Sequence, residues 1–138
     1  MQADRAFTLK KEERITSRTL MERLFGGGGS RAMTSFPVRM VYLEVERDGE
    51  NGPQAKVLVS VSKRHFKRAV KRNRVKRQLR EAYRKNKHIV LDRMEARPDR
   101  MMAVALIWLD NNLHDTEEVE SRVRSLLVRL GEKNTSMS

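Results

Sequence analysis

The chain of 138 residues has no cysteine, which excludes disulfides, thiolate metal sites and thiol nucleophiles and suits a reducing compartment. Only seven residues are aromatic, too few for a long base-stacking platform. His65, His88 and His114 are scattered over separate segments, a pattern that supplies no metal site. No serine sits in a nucleophile elbow, and no nucleophile, base and orienting acid can be assembled. The carboxylate pairs Glu12/Glu13, Glu44/Glu46 and Glu117/Glu118 read as solvated charge or as complements to a helix dipole. The polypeptide is therefore expected to carry no catalytic residue. Long apolar runs are also missing. Met101 to Leu109 is too short to span a bilayer, and the N-terminal stretch MQADRAFTLKKEERITSR lacks the apolar core of a signal peptide. A cytoplasmic protein without a membrane partner is the expectation.

What the sequence has in excess is positive charge, and that charge is local. Lys63 to Lys87 holds thirteen Lys/Arg against one acid, Glu81, leaving 17 basic and 17 acidic residues elsewhere, so the net charge of +12 resides in this one stretch. It contains neither Gly nor Pro. At ~100° per residue, Val75, Leu79, Ala82 and Tyr83 share one arc of a helix, with Asn73, Lys76, Arg77, Arg80 and Arg84 opposite. Arg74 and Lys85 lie on one flank and Arg72 at the edge of the apolar stripe. A cationic face docked by its reverse side repels itself unless a polyanion covers it. Nucleic-acid backbone, whose counterions are released on binding, is the natural cover.

Around this helix the chain reads as a single RNA-binding domain over residues 1–138, with an ordered core at about 15–131 between a polar N-terminal arm and a polar tail. Phe7, Leu9 and Ile15 are candidates to tether the arm. Ser17 is placed to cap a short helix with Leu20, Met21, Leu24 and Phe25 on one side, and Gly26 to Gly29 end it. That glycine run is a turn rather than a phosphate loop, since no Gly-Lys-Ser/Thr follows. Phe36 to Glu46 predicts a strand, and the turn-rich Arg47 to Gln54 predicts a hairpin into a second strand, Ala55 to Ser62. The basic helix is expected to fray beyond His88 and to be followed by a loop over Ala96 to Arg100. Met101 to Leu109 has the near-continuous apolar character of a strand covered on both faces and is the expected sheet centre. Asp115 and Glu118 have capping-box spacing. They open a helix with Val119, Val123, Leu126, Leu127 and Leu130 on one face, which Gly131 is expected to stop. The sum is an α+β fold, a small sandwich of a mainly antiparallel sheet with helices in αββαβα-like order. A βαβ connection through the basic helix would by the general rule be right-handed.

Val57-Leu58-Val59-Ser60-Val61-Ser62-Lys63-Arg64, then Ala69 to Arg77 with its Arg72-Asn73-Arg74 centre, and Arg80-Glu81-Ala82-Tyr83 closely resemble the bacterial ribonuclease P protein subunit. The resemblance covers about residues 15 to 130. It implies a protein that binds a large catalytic RNA, the two together removing the 5′ leader of precursor tRNA with magnesium held mainly by the RNA. It also implies a left-handed crossover around the basic helix. Carried over position by position, the residues implied to contact the RNA subunit are Lys63, Arg64, Arg68, Arg72, Asn73, Arg74, Lys76, Arg77 and Arg80, with Arg72 also placed to brace the fold. A second site, a cleft for the single-stranded leader between the first helix and the sheet, is implied at Met21 and Phe25; Arg39, Val41, Ser60 and Ser62 are the candidates for its sheet side, and otherwise read as ordinary strand surface. Met21 stands where the family has an aromatic residue. Leu109-Asp110-Asn111-Asn112 stands where the family often has a basic one. Without the resemblance, the basic helix would equally suit a structural ribosomal-RNA-binding or general nucleic-acid-binding protein.

Overall fold

The computed structural model describes residues 9–26 and 28–136, and side chains as far as residue 132. Phe7 and Gly27 lie outside the described residues. A single 3₁₀ turn at Lys11–Glu13 leads into helix α1, Arg18–Phe25, whose first turn is capped as expected by Ser17 Oγ accepting from Leu20 N at 3.2 Å. Strands β1, Arg31–Ser35, β2, Val38–Glu46, and β3, Ala55–Ser60, follow, then helix α2, Ala69–Asn86. Helix α3, His88–Met94, strand β4, Arg100–Trp108, and helix α4, Thr116–Ser136, complete the fold.

The sheet order is β1-β2-β4-β3. β2 is antiparallel to both β1 and β4, whereas β3 and β4 are parallel. The expected hairpin from β2 into β3 does not form, because β4 lies between them. Its apolar run has two faces to bury, and an interior position gives it a neighbour on each side. The 47–54 segment is held instead by the α3–β4 connection: Arg47 donates to Pro98 O at 2.8 Å, and Gln54 Nε2 to Met94 O at 2.8 Å and Arg97 O at 2.9 Å. The hairpin that does form joins β1 to β2 through the cis Phe36-Pro37 peptide. β1 has a single buried residue, Met33, and so no alternation by which to read it.

Alternate residues of β4 serve two cores. Met102, Val104, Leu106 and Trp108 meet α2, α3 and α4 through Leu79, Tyr83, Val90, Leu126 and Leu127. Met101, Ala103 and Ala105 meet α1 through Leu20 and Leu24, with Ile15 and Val41. The alanines leave room for α1 to lie close to the sheet.

Two helix limits differ from expectation. Past Asn86 the chain does not fray but begins α3, which buries Val90 and Met94. α4 runs through Gly131 to Ser136, because a helix end needs more than a glycine when the helical path stays open. A β-carbon at Gly131 would lie 3.7 Å from Ile89 Cγ2, at ordinary contact distance.

Candidate nucleic-acid interface

The predicted apolar arc of α2 is the buried one: Val75, Leu79 and Tyr83 are wholly inaccessible and Ala82 nearly so. Gln78 is buried with them, its Nε2 donating to His114 O at 3.0 Å, which ties the helix to the loop before α4. With its underside held, α2 presents Asn73, Arg74 and Arg77 fully outward and Lys76 and Arg80 at its margins.

Ion pairing divides the basic run in two. From Arg84 onward the cations are compensated: Arg84 with Glu81 at 2.7 Å, Lys85 with Glu120 at 3.5 Å, Lys87 with Glu13 at 2.7 Å. The Arg84 contact pulls the Glu81 carboxyl below its ordinary value, and Glu81 raises Arg84 in turn. Among the described residues, Arg74, Lys76, Arg77 and Arg80 have no ion-pair partner. They form a ridge of uncompensated charge.

Lys63, Arg64 and Arg68 extend the ridge along the exposed β3–α2 loop. Arg72 differs. It is half-buried, and its Nη1 donates to Phe66 O at 2.8 Å and Lys67 O at 2.7 Å. One end of its guanidinium thus fastens the loop that presents the other cations.

On the other face of the sheet, strand register lines up Thr34, Arg39, Ile107 and Ser60 across the four strands, beside a second row of Ala32, Val41, Ala105 and Leu58. Val41 and Ala105 are buried in the α1 core, so Val41 forms floor rather than open surface. Arg39 is exposed, and Ile107 and Ser60 are half-buried. Met21 packs against the same core, whereas Phe25 at the end of α1 is 49% exposed. Ser62 lies past the end of β3 with its hydroxyl accepting from Arg64 N at 3.1 Å, a turn contact. Leu58 and Ile107, which the sequence reading passed over, belong to this floor, and the i, i+2 alternation around Ser60 was the available signal.

The loop after β4 turns inward. Asp110 Oδ2 accepts from His114 Nε2 at 2.6 Å, Glu118 Oε1 lies 3.1 Å from His114 Nδ1, and Asn111 meets His65 at 2.7 Å. His114 is thus not the bland surface histidine expected from its spacing; it is a half-buried bridge between carboxylates four residues to either side. Glu13, expected to be solvated, is buried against Lys87. Glu44, likewise, receives both Arg97 and Arg100. Among the described residues no three His, Asp or Glu side chains converge as a metal site, and no helix is long and apolar enough to cross a membrane.

The cationic helix thus follows a β3 strand that ends at Ser60 and leads out through Val61-Ser62-Lys63-Arg64. The family model for Ribonuclease P matches residues 9–131. The chain belongs to the ribonuclease P protein family. Among similar ribonuclease P protein components, that of one strain of Porphyromonas gingivalis is 39% identical over 132 residues, covering 94% of this chain and 91% of the relative. That of a second strain is 40% identical over 126 residues, covering 90% and 87%. Among solved structures, the RNase P protein from Thermotoga maritima superposes with a TM-score of 0.63 at 17% identity, over 85% of this chain and 96% of that one. The Staphylococcus aureus RNase P protein gives 0.57 at 15%, over 83% and 92%. At that identity the two structures support the fold. Membership in the ribonuclease P family sets the chain in tRNA processing, as a protein component of that endoribonuclease.

Proposed function

We propose that this chain acts as one RNA-binding domain that docks the catalytic RNA of ribonuclease P through the α2 ridge and guides the 5′ leader of precursor tRNA through the cleft beside α1. The observation that carries the reading is the division of charge on α2. Its core-facing side is fully packed, its C-terminal cations are neutralised within the chain, and the four between Arg74 and Arg80 are left for an external polyanion. Arginine pairs phosphate through two nitrogens at once, and Asn73 among them can both donate and accept. In the cleft, Phe25 offers an exposed ring on which a base can stack, worth ~1 to 3 kcal/mol.

The polypeptide supplies binding and position, and bond cleavage belongs to the RNA. The carboxylates near the ridge, Glu81 and Glu13, are held by Arg84 and Lys87 and do not suit a magnesium site, so the magnesium is assigned to the RNA. The protein works in the cytoplasm with its two RNA partners.

Reconstitution with the host's catalytic RNA tests this reading by cleavage of precursor tRNA at low magnesium, with and without the protein. Arg74→Ala and Arg77→Ala should each weaken assembly, while Phe25→Ala should leave assembly intact and lose the preference for substrate bearing a leader. Loss of assembly on Phe25→Ala would contradict the two-site division.

A further inference from the structure

One cation outside the basic helix faces the same way. Ahead of α1, the chain runs along the outer edge of β3, where Ile15 N donates to Val57 O at 2.9 Å and Arg14 bridges to Val57 in parallel register. The 3₁₀ turn before it is anchored by the buried Glu13–Lys87 pair at 2.7 Å and by Lys10 N donating to Glu13 Oε2 at 2.7 Å. Arg14, between these anchors, is exposed.

Between this strap and α2 lies a groove of about 590 Å³ lined by Leu9, Arg14, Asn73, Arg77, Arg80 and Arg84, with Glu81 at its side. Glu81 already serves Arg84. Among the described residues, Arg14, Arg77 and Arg80 have no ion-pair partner. A smaller hollow of about 150 Å³ continues past Arg14 and Arg80 to Thr16 and Leu58 at the β3 edge. Arg14 and Arg80 line both hollows together, and the Arg80 guanidinium is pushed below its ordinary value by burial and then by the like charge of Arg14. Convergence of like charges from two separate segments is unfavourable in the free chain and is relieved by an anion seated between them.

We infer that Arg14 completes a phosphodiester seat with Asn73, Arg77 and Arg80, so that the strap is part of the surface that grips the catalytic RNA. This rests on the function proposed above and adds to it a residue that lies more than fifty positions before the basic helix. The Glu13–Lys87 pair positions the strap, and Arg14 makes the contact. The groove suits backbone phosphate rather than a base, because four guanidinium groups and one amide dominate its lining beside Leu9 and the Arg84-held Glu81, with no aromatic ring among them.

Two measurements decide it. In the first, binding of the full chain to the host's catalytic RNA is followed across a salt series for wild type, Arg14→Gln and Arg124→Gln, the last an exposed control on α4. Arg14→Gln should lower affinity about tenfold and flatten the log–log salt slope by about 0.7 to 0.9, one phosphate's worth, while Arg124→Gln matches wild type. In the second, the free chain is titrated with pyrophosphate and the arginine Nε–Hε resonances are followed by NMR. Arg14, Arg77 and Arg80 should shift together with one midpoint.

The second arm needs no RNA. If wild type itself fails to bind the catalytic RNA, the proposed function falls, and the titration still judges the seat. If wild type binds and Arg14→Gln keeps both affinity and slope, the inference is overturned. Loss confined to precursor tRNA on the assembled holoenzyme also overturns it, as does an Arg14 resonance that stays still while those of Arg77 and Arg80 move.

Discussion

Lys87 shows how one residue can leave the class its neighbours define. It ends a run of cations, yet its ammonium is buried 2.7 Å from Glu13, a carboxylate 74 positions earlier. Breaking such a pair leaves one charge unpaired inside the protein, at a cost of about 3–5 kcal/mol. Lys87→Met should therefore destabilise the chain by that order in urea denaturation, and a loss under 1 kcal/mol would show that the pair is not held away from water. His114 gives a pH signature. Its hydrogen bond to Asp110 raises it above the ordinary 6.5, and the same bond holds Asp110 below 3.8. The histidine's contribution is complete below 6.5 and fades as pH rises through its own higher value. The aspartate's is complete above 3.8 and fades as pH falls through its depressed one. The melting-temperature advantage of wild type over His114→Gln should therefore be widest between about pH 4 and 6.5 and shrink toward pH 9. An advantage that grows with pH would refute the bridge.

At the scale of the element, α2 separates stability from binding by face. Leu79 is wholly buried and Arg74 exposed. Leu79→Ala should cost about 2–5 kcal/mol of unfolding free energy, and Arg74→Ala should stay within about 0.5 kcal/mol while weakening RNA-subunit binding. If Arg74→Ala unfolds the chain, the ridge is a structural device. This division was legible beforehand, because a 3.6-residue period is written in contiguous residues. What the wheel could not assign was Arg72, at the boundary of the stripe. Its two bonds to the carbonyls of Phe66 and Lys67 depend on how the β3–α2 loop folds back. Likewise β4 was readable as doubly covered, but the chain order that seemed to pair β2 with β3 concealed that β4 would come between them.

For the whole molecule the governing quantity is a net charge of +12, whose uncompensated cations include those along α2 and the loop before it. Salt should then act in opposite directions on two observables. It screens the self-repulsion of the ridge, so the free chain's melting temperature should rise with added salt, while affinity for RNA falls with a log–log slope of about −0.7 to −0.9 per phosphate neutralised. A melting temperature that falls as salt is added would mean that the internal pairs around Glu13, Glu44 and Glu81 outweigh the repulsion, and that no net strain awaits an RNA partner.

The sequence by itself determined which stretch carries the charge, which residues of that stretch face the core, the two-sided burial of Met101 to Trp108 and the capped start of α1, since each is expressed within a few residues of chain. Only the tertiary structure decided the β1-β2-β4-β3 order, the neutralisation of Arg84, Lys85 and Lys87, and the approach of Arg14 to Arg80. Those outcomes depend on which distant segments can be buried together, and no local period encodes that. A cation remains available to an outside anion only where packing brings no carboxylate to it.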